Sequence, residues 1–310
     1  MENLVICTGQ SVLDLPVRGL GELSRESESN HVERIGMNLG GDAVNESVVL
    51  TKLGVPTKLY SALSDDAAGK ALAMLLDENG VDHSLCESRP GTVTQISIPI
   101  VFEDAERVFI SARKVNPALE FAPDPAKIAG ARVVTFASLY SRPYQEVENA
   151  IVIAKAAREQ GSIVCADLAH VKGETPLDDF AELWPYVDYF FPNDSEARQL
   201  TGKEDPDEMA DVLLGYGMGA VIIKIGRRGC LFASAKERFI VPPHMVEKPV
   251  DTTGAGDNFC AGFIFGLMEG KDERECCRYA NAAASICIQY DGASTGIQSR
   301  AQLQEVLDNY

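Results

Sequence analysis

The chain reads Asp251-Thr-Thr-Gly-Ala-Gly-Asp257, followed by the apolar run Asn258-Phe-Cys-Ala-Gly-Phe-Ile-Phe-Gly-Leu267. Gly254, Ala255 and Gly256 stand where this pattern predicts the start of a helix. The first turn of a helix leaves N–H groups unpaired, and the dipole gathers partial positive charge there. With no bulky side chain in the way, an anion can rest directly on those amides. Asp257 follows at once, so its carboxylate can project into the same space. A carboxylate beside an anion hole suits a base taking a proton from a hydroxyl that attacks a phosphoryl group. Position alone also fits a plainer role, in which Asp257 caps the helix electrostatically.

The rest of the motif favours chemistry. Asp-Thr-Thr-Gly-Ala-Gly-Asp before a small-residue apolar helix resembles, without a gap, the C-terminal signature of the ribokinase-like (PfkB) carbohydrate kinases. Far upstream, Asn38-Leu-Gly-Gly-Asp-Ala-Val-Asn45 resembles the N-terminal Gly-Gly motif of that family, which contacts the sugar. Gly40 and Gly41 permit close backbone approach, and Asn45 offers donors and an acceptor to hydroxyls. Asp14 resembles the family aspartate that grips sugar hydroxyls, and Asp42 lies within the same sugar-side motif. Pro192-Asn193-Asp-Ser-Glu196 resembles the Asn-x-x-Glu motif associated with magnesium and phosphate. Lys224-Ile-Gly226-Arg-Arg-Gly229 resembles the strand–turn segment that borders ATP, and Asn281 falls where the family also touches the nucleotide. Taken singly, Lys224 or Arg228 reads more simply as a solvated charge.

The resemblance, which spans essentially the whole chain, implies an ATP- and magnesium-dependent kinase. It would transfer the γ-phosphoryl group to a primary hydroxyl, with Asp257 as base and the 254–256 amides holding the charge. It also implies a monovalent cation, potassium, beside the anion hole, held by Asp251 and Thr253 with Cys287, Tyr290, Gly292 and Gly296. Departures from the family pattern bear on the substrate. Ser64 replaces a family glycine before Asp65, Cys165-Ala-Asp-Leu-Ala169 lacks a downstream asparagine, and Thr135-Phe-Ala-Ser-Leu139 has no acid near the expected ribose. Asp42 stands where ribokinases and sugar-phosphate kinases carry lysine. A carboxylate there would repel a phosphorylated substrate, so a free ketohexose, pentose or sugar acid is expected. A nucleoside stacked on Phe102 or Phe109 is the alternative, and a non-catalytic sugar-binding regulator a further one.

Composition sets the bounds. The 310 residues are 45% apolar and 24% charged, with a formal net charge of −18. That charge argues against nucleic acid and anionic membrane surfaces as partners, and requires phosphate to be held by backbone amides and metal. No run is long enough to span a bilayer, Leu4–Cys7 reads as a strand without a basic leader, and a cytoplasmic location is expected. Eight cysteines sit mostly among aliphatic residues, with no C-x-x-C pair, and read as small buried hydrophobes. No G-x-G-x-x-G follows the first strand and no Walker motif occurs, which sets aside dinucleotide and P-loop folds.

The elements that must position these residues alternate. Strand-like runs at Leu4–Cys7, Lys58–Ala62, Val133–Ala137, Ile163–Ala166, Tyr189–Phe191 and Ala220–Ile225 are interleaved with helical patterns at Ala43–Leu53, Ala67–Glu78, Tyr144–Glu159, Ser195–Thr201 and Asp207–Leu214. Such repetition predicts an α/β fold with parallel strands covered on both faces. Combined with the resemblance, this is a ribokinase-like three-layer sandwich with a central, mostly parallel sheet. After Asp251 the chain reads as helices at Ala255–Glu269, Asp272–Gln289 and Arg300–Leu307. Leu15–Gly36 and Thr92–Ile110 break the rhythm with period-2 alternation, which predicts a small β lid inserted into one kinase domain covering residues 1–310. A one-faced lid predicts a homodimer joined through Ile96, Ile98, Ile100, Val108 and Ile110 or their immediate strand neighbours, the alternative being a lid folded permanently onto its own domain.

Overall fold

In the computed structural model, which describes residues 2–21, 29–102, 107–111, 121–169, 171 and 176–309, successive residues of each central strand enter opposite layers of the core. Val5 and Cys7 join one buried cluster and Ile6 the other, as do Val133 and Ala137 against Val134 and Phe136. Apolar residues on both faces are what a sheet covered on both sides requires.

The described strands begin with β1 (Val5–Thr8), β2 (Val12–Asp14), β3 (Val17–Leu20), β4 (Arg34–Ile35), β5 (Asn38–Gly40), β6 (Thr57–Tyr60), β7 (Ala62–Ser64), β8 (Glu87–Arg89), β9 (Ile96–Phe102) and β10 (Arg107–Ser111). Then come β11 (Val133–Leu139), β12 (Ile163–Leu168), β13 (Tyr189–Phe190), β14 (Ala220–Lys224), β15 (Cys230–Ser234) and β16 (Arg238–Val241). The α-helices are α1 (Asp42–Lys52), α2 (Ala67–Glu78), α3 (Val147–Glu159), α4 (Pro176–Asp179), α5 (Asp194–Thr201), α6 (Pro206–Gly215), α7 (Ala255–Met268), α8 (Glu273–Cys287) and α9 (Arg300–Asp308).

The large sheet has the order β16-β15-β14-β13-β12-β11-β1-β6. Its strands are parallel from β6 to β14, and β15 and β16 continue it antiparallel. One face packs under α1, α2, α7, α8 and α9, the other under α3 and α6. The predicted three layers are therefore present. Ser61 interrupts the strand expected over Lys58–Ala62: its hydroxyl donates to the Gly9 carbonyl at 2.7 Å, and β7 turns away to pair with β8. The third predicted helix starts at Val147, because Tyr144 is buried with its phenol 2.5 Å from the Thr8 hydroxyl. All eight cysteines are free, and seven of them are buried.

The second sheet has the order β4-β3-β9-β2-β5, with β10 added to β9. It is wider than the alternating stretches implied, because β2 and β5 lie outside 15–36 and bring Asp14 and Asn38 into it. Pairing places Ile98 opposite Ile110 and Ile100 opposite Val108, on one face shared with Val17 and Ile35. Cross-strand neighbours share a face, so these residues form one apolar surface. At its β2 end that face is covered, for Leu13 and Leu39 are buried and Ile96 packs against the main core. Ile100 is buried as well. Ile35, Val108 and Ile110 are exposed. Among the described residues no helix is long and apolar enough to cross a membrane.

Candidate active site

Gly254 caps α7 in the left-handed region, with φ of 75°. A Cβ there would lie 2.5 Å from the Cα of Ala293, so both conformation and packing demand glycine. The two chain segments are pinned together by Asn258, whose amide donates to the carbonyls of Gly254 at 2.8 Å and Ala293 at 2.6 Å. Behind this first turn, Asn258 to Met268 are all buried, which fixes the helix rigidly. Asp257 lies in the first turn and accepts a hydrogen bond of 2.7 Å from Asn45 Nδ2 of α1. Asn45 thus meets the candidate base, while its Oδ1 is buried with no partner among the described residues. An orphaned acceptor of this kind suits a hydroxyl donor. Gly40 is required for a similar reason: a Cβ there would come within 2.4 Å of the Asp14 carboxylate.

Acids crowd around Asp257. Burial pushes Asp257 up to about 6; the Asn45 hydrogen bond opposes this, Asp167 adds to it and Lys224 reduces it. Burial, helped by the charge of Asp257, pushes Asp14 up to about 7. Asp42 is raised by burial and by Asp257 and Asp167, although the Ser138 hydroxyl donates to it at 3.2 Å. Glu46, fully buried in α1, is raised by burial and the same two acids, with Thr135 donating to one oxygen at 3.0 Å. Glu196 is pushed by burial up to about 7, against the pull of Lys224. Lys224 is no solvated charge. Burial would neutralise its ammonium, but the pairing with Asp167 at 2.7 Å, together with Cys260 and Glu196, outweighs it and holds the charge.

Two cavities meet here. The larger, of about 680 Å³, is lined by all five residues expected to border the nucleotide: Asn193, Lys224, Gly226, Gly229 and Asn281. Glu196, Ala255, Gly256 and Asp257 share its wall, and Met245, Val246 and Ile288 make it partly apolar. Asn193 and Glu196 form a reciprocal capping box at the start of α5. Asn281 donates to the carbonyls of Val241 at 3.2 Å and Pro242 at 3.0 Å, fixing the segment that leaves β16. A second cavity, of about 440 Å³, is lined by Asp14, Gly41 and Asp42. Asp42 lines both, at their junction. The second wall also carries Gln10, Gln95, Ser97, Arg142 and Gln145, with Phe109 as an aromatic member.

The residues expected around a monovalent cation come together only in part. Asp251, Thr253 and Gly292 line a cleft of about 90 Å³. The Cys287 thiol donates to the Thr253 carbonyl at 3.4 Å, Tyr290 is 45% exposed, and Gly296 packs on the end of α8. Sequence reasoning missed Arg18 of β3, which pairs with Asp251 at 2.9 Å and also with Asp291. It noted Asp167 without placing it in the site, and it missed Glu46 and Ser138. Acids and hydroxyls inside apolar segments were the only signal for these three.

Comparison with known proteins bears on the fold and the family. Residues 2–300 match the family described as pfkB family carbohydrate kinase. A ribokinase of Arabidopsis thaliana is 29% identical over 318 residues, covering 98% of this chain and 80% of that protein. A 2-dehydro-3-deoxygluconokinase of Bacillus subtilis is 33% identical over 131 residues, covering 42% of this chain and 40% of that protein. The structure of Arabidopsis thaliana ribokinase complexed with ribose and ATP superposes with a TM-score of 0.84 at 27% identity, covering 98% of each chain.

Proposed function

The chain belongs to the PfkB family of carbohydrate kinases and is a sugar-kinase phosphotransferase, and within that class we propose that it moves the γ-phosphoryl group of ATP to a primary hydroxyl of an unphosphorylated sugar. The observation that carries this reading is the position of Asp257. It stands on the wall of the large cavity, in the first turn of α7, where backbone amides can hold an anion, beside an acid that lines the sugar-side cavity as well. ATP takes the large cavity, and the sugar takes the second. Asp257 accepts the hydroxyl proton as oxygen attacks phosphorus, while the amides at the start of α7 hold charge on the phosphoryl oxygens. Asn45, which lines neither cavity, fixes the carboxylate from behind.

Among the described residues no three acidic, histidine or cysteine side chains gather as a metal cage. The oxygen donors of Glu196 and Asp42 nonetheless suit magnesium shared with phosphates, the usual manner of binding for that ion. Magnesium bound in this way would neutralise phosphate charge. Asp42 disfavours a substrate that already bears phosphate near the junction, whereas Arg142 in the far wall suits a carboxylate, as in a sugar acid. A nucleoside is the second reading, supported by Phe109 as a stacking surface.

Two copies joined through the small sheet would cover Ile35, Val108 and Ile110, with Ile98 at the edge of that patch. Ile96 packs against the main core and Ile100 is buried within the chain, so both drop out of the expected interface. The test of function is ATP consumption across free ketoses, pentoses, sugar acids, sugar phosphates and nucleosides. Turnover of an unphosphorylated sugar or sugar acid is expected, and a clear preference for a sugar phosphate or nucleoside would overturn the assignment.

A further inference from the structure

The cleft behind the anion hole joins two loops to the small sheet. Asp251, Thr253, Asp291 and Gly292 line it from the loops, and Arg18 and Arg34 from β3 and β4. Arg18 bridges the loops by pairing with Asp251 on one and Asp291 on the other. Asp251 also accepts from the backbone of Thr253 at 2.9 Å and of Gly292 at 3.2 Å. Its oxygens therefore meet protein donors on every contact described here, and the Thr253 carbonyl already accepts the Cys287 thiol. Burial alone would raise the Asp251 carboxyl; the Thr253 and Gly292 hydrogen bonds and the Arg18 guanidinium outweigh it and hold it below the ordinary carboxylate range.

These contacts do not fit a bound potassium ion. Three aspartates, Asp14, Asp251 and Asp291, face two arginines in the cleft, but the two on the loops are both paired with Arg18, which leaves neither loop carboxylate free to hold a further cation. A guanidinium keeps its charge at any working pH and spreads it over a fork of donors that can satisfy two carboxylates together. A potassium ion would have to displace it from a carboxylate that is only 9% exposed.

We propose that Arg18 performs within the polypeptide the task of a monovalent cation at the anion-hole loops, making this kinase independent of potassium. The mechanical route is short. Asp251 lies three residues before Gly254, and Ala293, two residues beyond Asp291, is the residue against which Gly254 packs. Holding the two loops together thus fixes the direction of the α7 amides. Arg18 also belongs to the sheet that carries Asp14, so seating that sheet and ordering the anion hole become one event. Arg18 is a positioning residue, acting through the loops. The catalytic part of the proposal rests on the kinase reading above, whereas its effect on stability does not.

The experiment uses the full chain in potassium chloride and in tetramethylammonium chloride at equal ionic strength, which holds screening constant. Thermal midpoints are recorded without ATP, and turnover is measured on the best acceptor. The wild type should show the same midpoint in both salts and turnover within about twofold, the scale of salt effects on exposed charges. Arg18→Ala should turn over roughly tenfold more slowly in tetramethylammonium, in line with losing a charged hydrogen bond, and potassium should restore both rate and midpoint. Arg18→Gln, which keeps length and polarity, gives the same readout should the alanine variant not fold. A wild type stabilised or activated by potassium overturns the proposal. So does a variant that is weakened but gains nothing from potassium, since that leaves an ordinary ion pair. Should no acceptor be turned over, the kinase reading fails while the midpoints still decide the role of Arg18.

Discussion

Residues 255–257 reach the large cavity from one turn of one helix, whereas the second cavity draws Asp14 from β2, Gln95 and Ser97 from the β9 edge, Phe109 from β10 and Arg142 from the segment after β11. The first wall is braced by a helix buried along almost its whole length. The second is braced partly by a sheet whose outer face exposes Ile35, Val108 and Ile110. A reaction centre tolerates little displacement, and the proposed one sits on the rigid layer. A specificity wall assembled from separate strands can change one contact at a time and leave the centre alone.

Damage to the first wall should have the larger effect. Gly254→Ala forces a Cβ to within 2.5 Å of Ala293 and a left-handed backbone on alanine, at a cost of roughly 1–2 kcal/mol. With the amides misdirected, kcat should fall by roughly 10²–10³, the scale for losing an anion-hole donor. Single-turnover kinetics would check it, and a rate within twofold of wild type would mean that the amides do no chemistry. Damage to the second wall should be milder and of another kind. Asp14→Ala should raise the sugar KM by at least roughly tenfold and leave the ATP KM alone, because a charged hydrogen bond in a dry site is worth about 1.5–3 kcal/mol. An unchanged sugar KM removes Asp14 from the site.

Acidity separates the walls further. Asp257 must be ionised to act, so kcat/KM should decline about tenfold per pH unit below about 6. Stability moves the opposite way. The folded values of Asp257, Asp14 and Glu196 lie above their ordinary carboxylate values, so the folded chain binds more protons between about 4 and about 7. The contribution of these groups is complete below that window and is lost as pH rises through it. Thermal midpoints of the ligand-free chain at pH 5 and pH 7.5 would show the slope, and a flat profile would mean that these acids are not held as described. The smallest effect belongs to the exposed face: Ile98→Glu with Val108→Glu should halve the sedimenting mass with little change in kcat. A wild type monomeric at micromolar concentration removes the dimer.

The same contrast explains what the sequence could convey. The helix start at Gly254–Asp257 was legible because one contiguous segment carries the glycines, the aspartate and the apolar run behind them. The parallel sheet was legible because β1, β11, β12 and β14 are short apolar runs between helical patterns. The pairing of Lys224 with Asp167 was not, for it joins the ends of β14 and β12 only once β13 is inserted between them. Arg18 read as an unremarkable charge in an alternating stretch, because its partner lies 233 residues away and nothing local marks the contact. The lid boundaries fell short at both ends of its first segment. β2 and β5 are three residues each, too short for alternation to register, and their motif residues drew the reading toward chemistry instead.

The central claim is that Asp257 removes the proton and does little to bind substrate. The most direct measurement is kcat and KM of Asp257→Asn beside wild type, on the preferred acceptor at pH 7.5. Asparagine keeps the shape and the contact with Asn45 but cannot take a proton. The account predicts a kcat lower by roughly 10² or more, KM values for sugar and ATP within a few-fold of wild type, and a folded variant whose thermal midpoint is no lower. Near-normal turnover would contradict it, and so would a loss confined to KM, for then Asp257 binds the sugar and the base lies elsewhere.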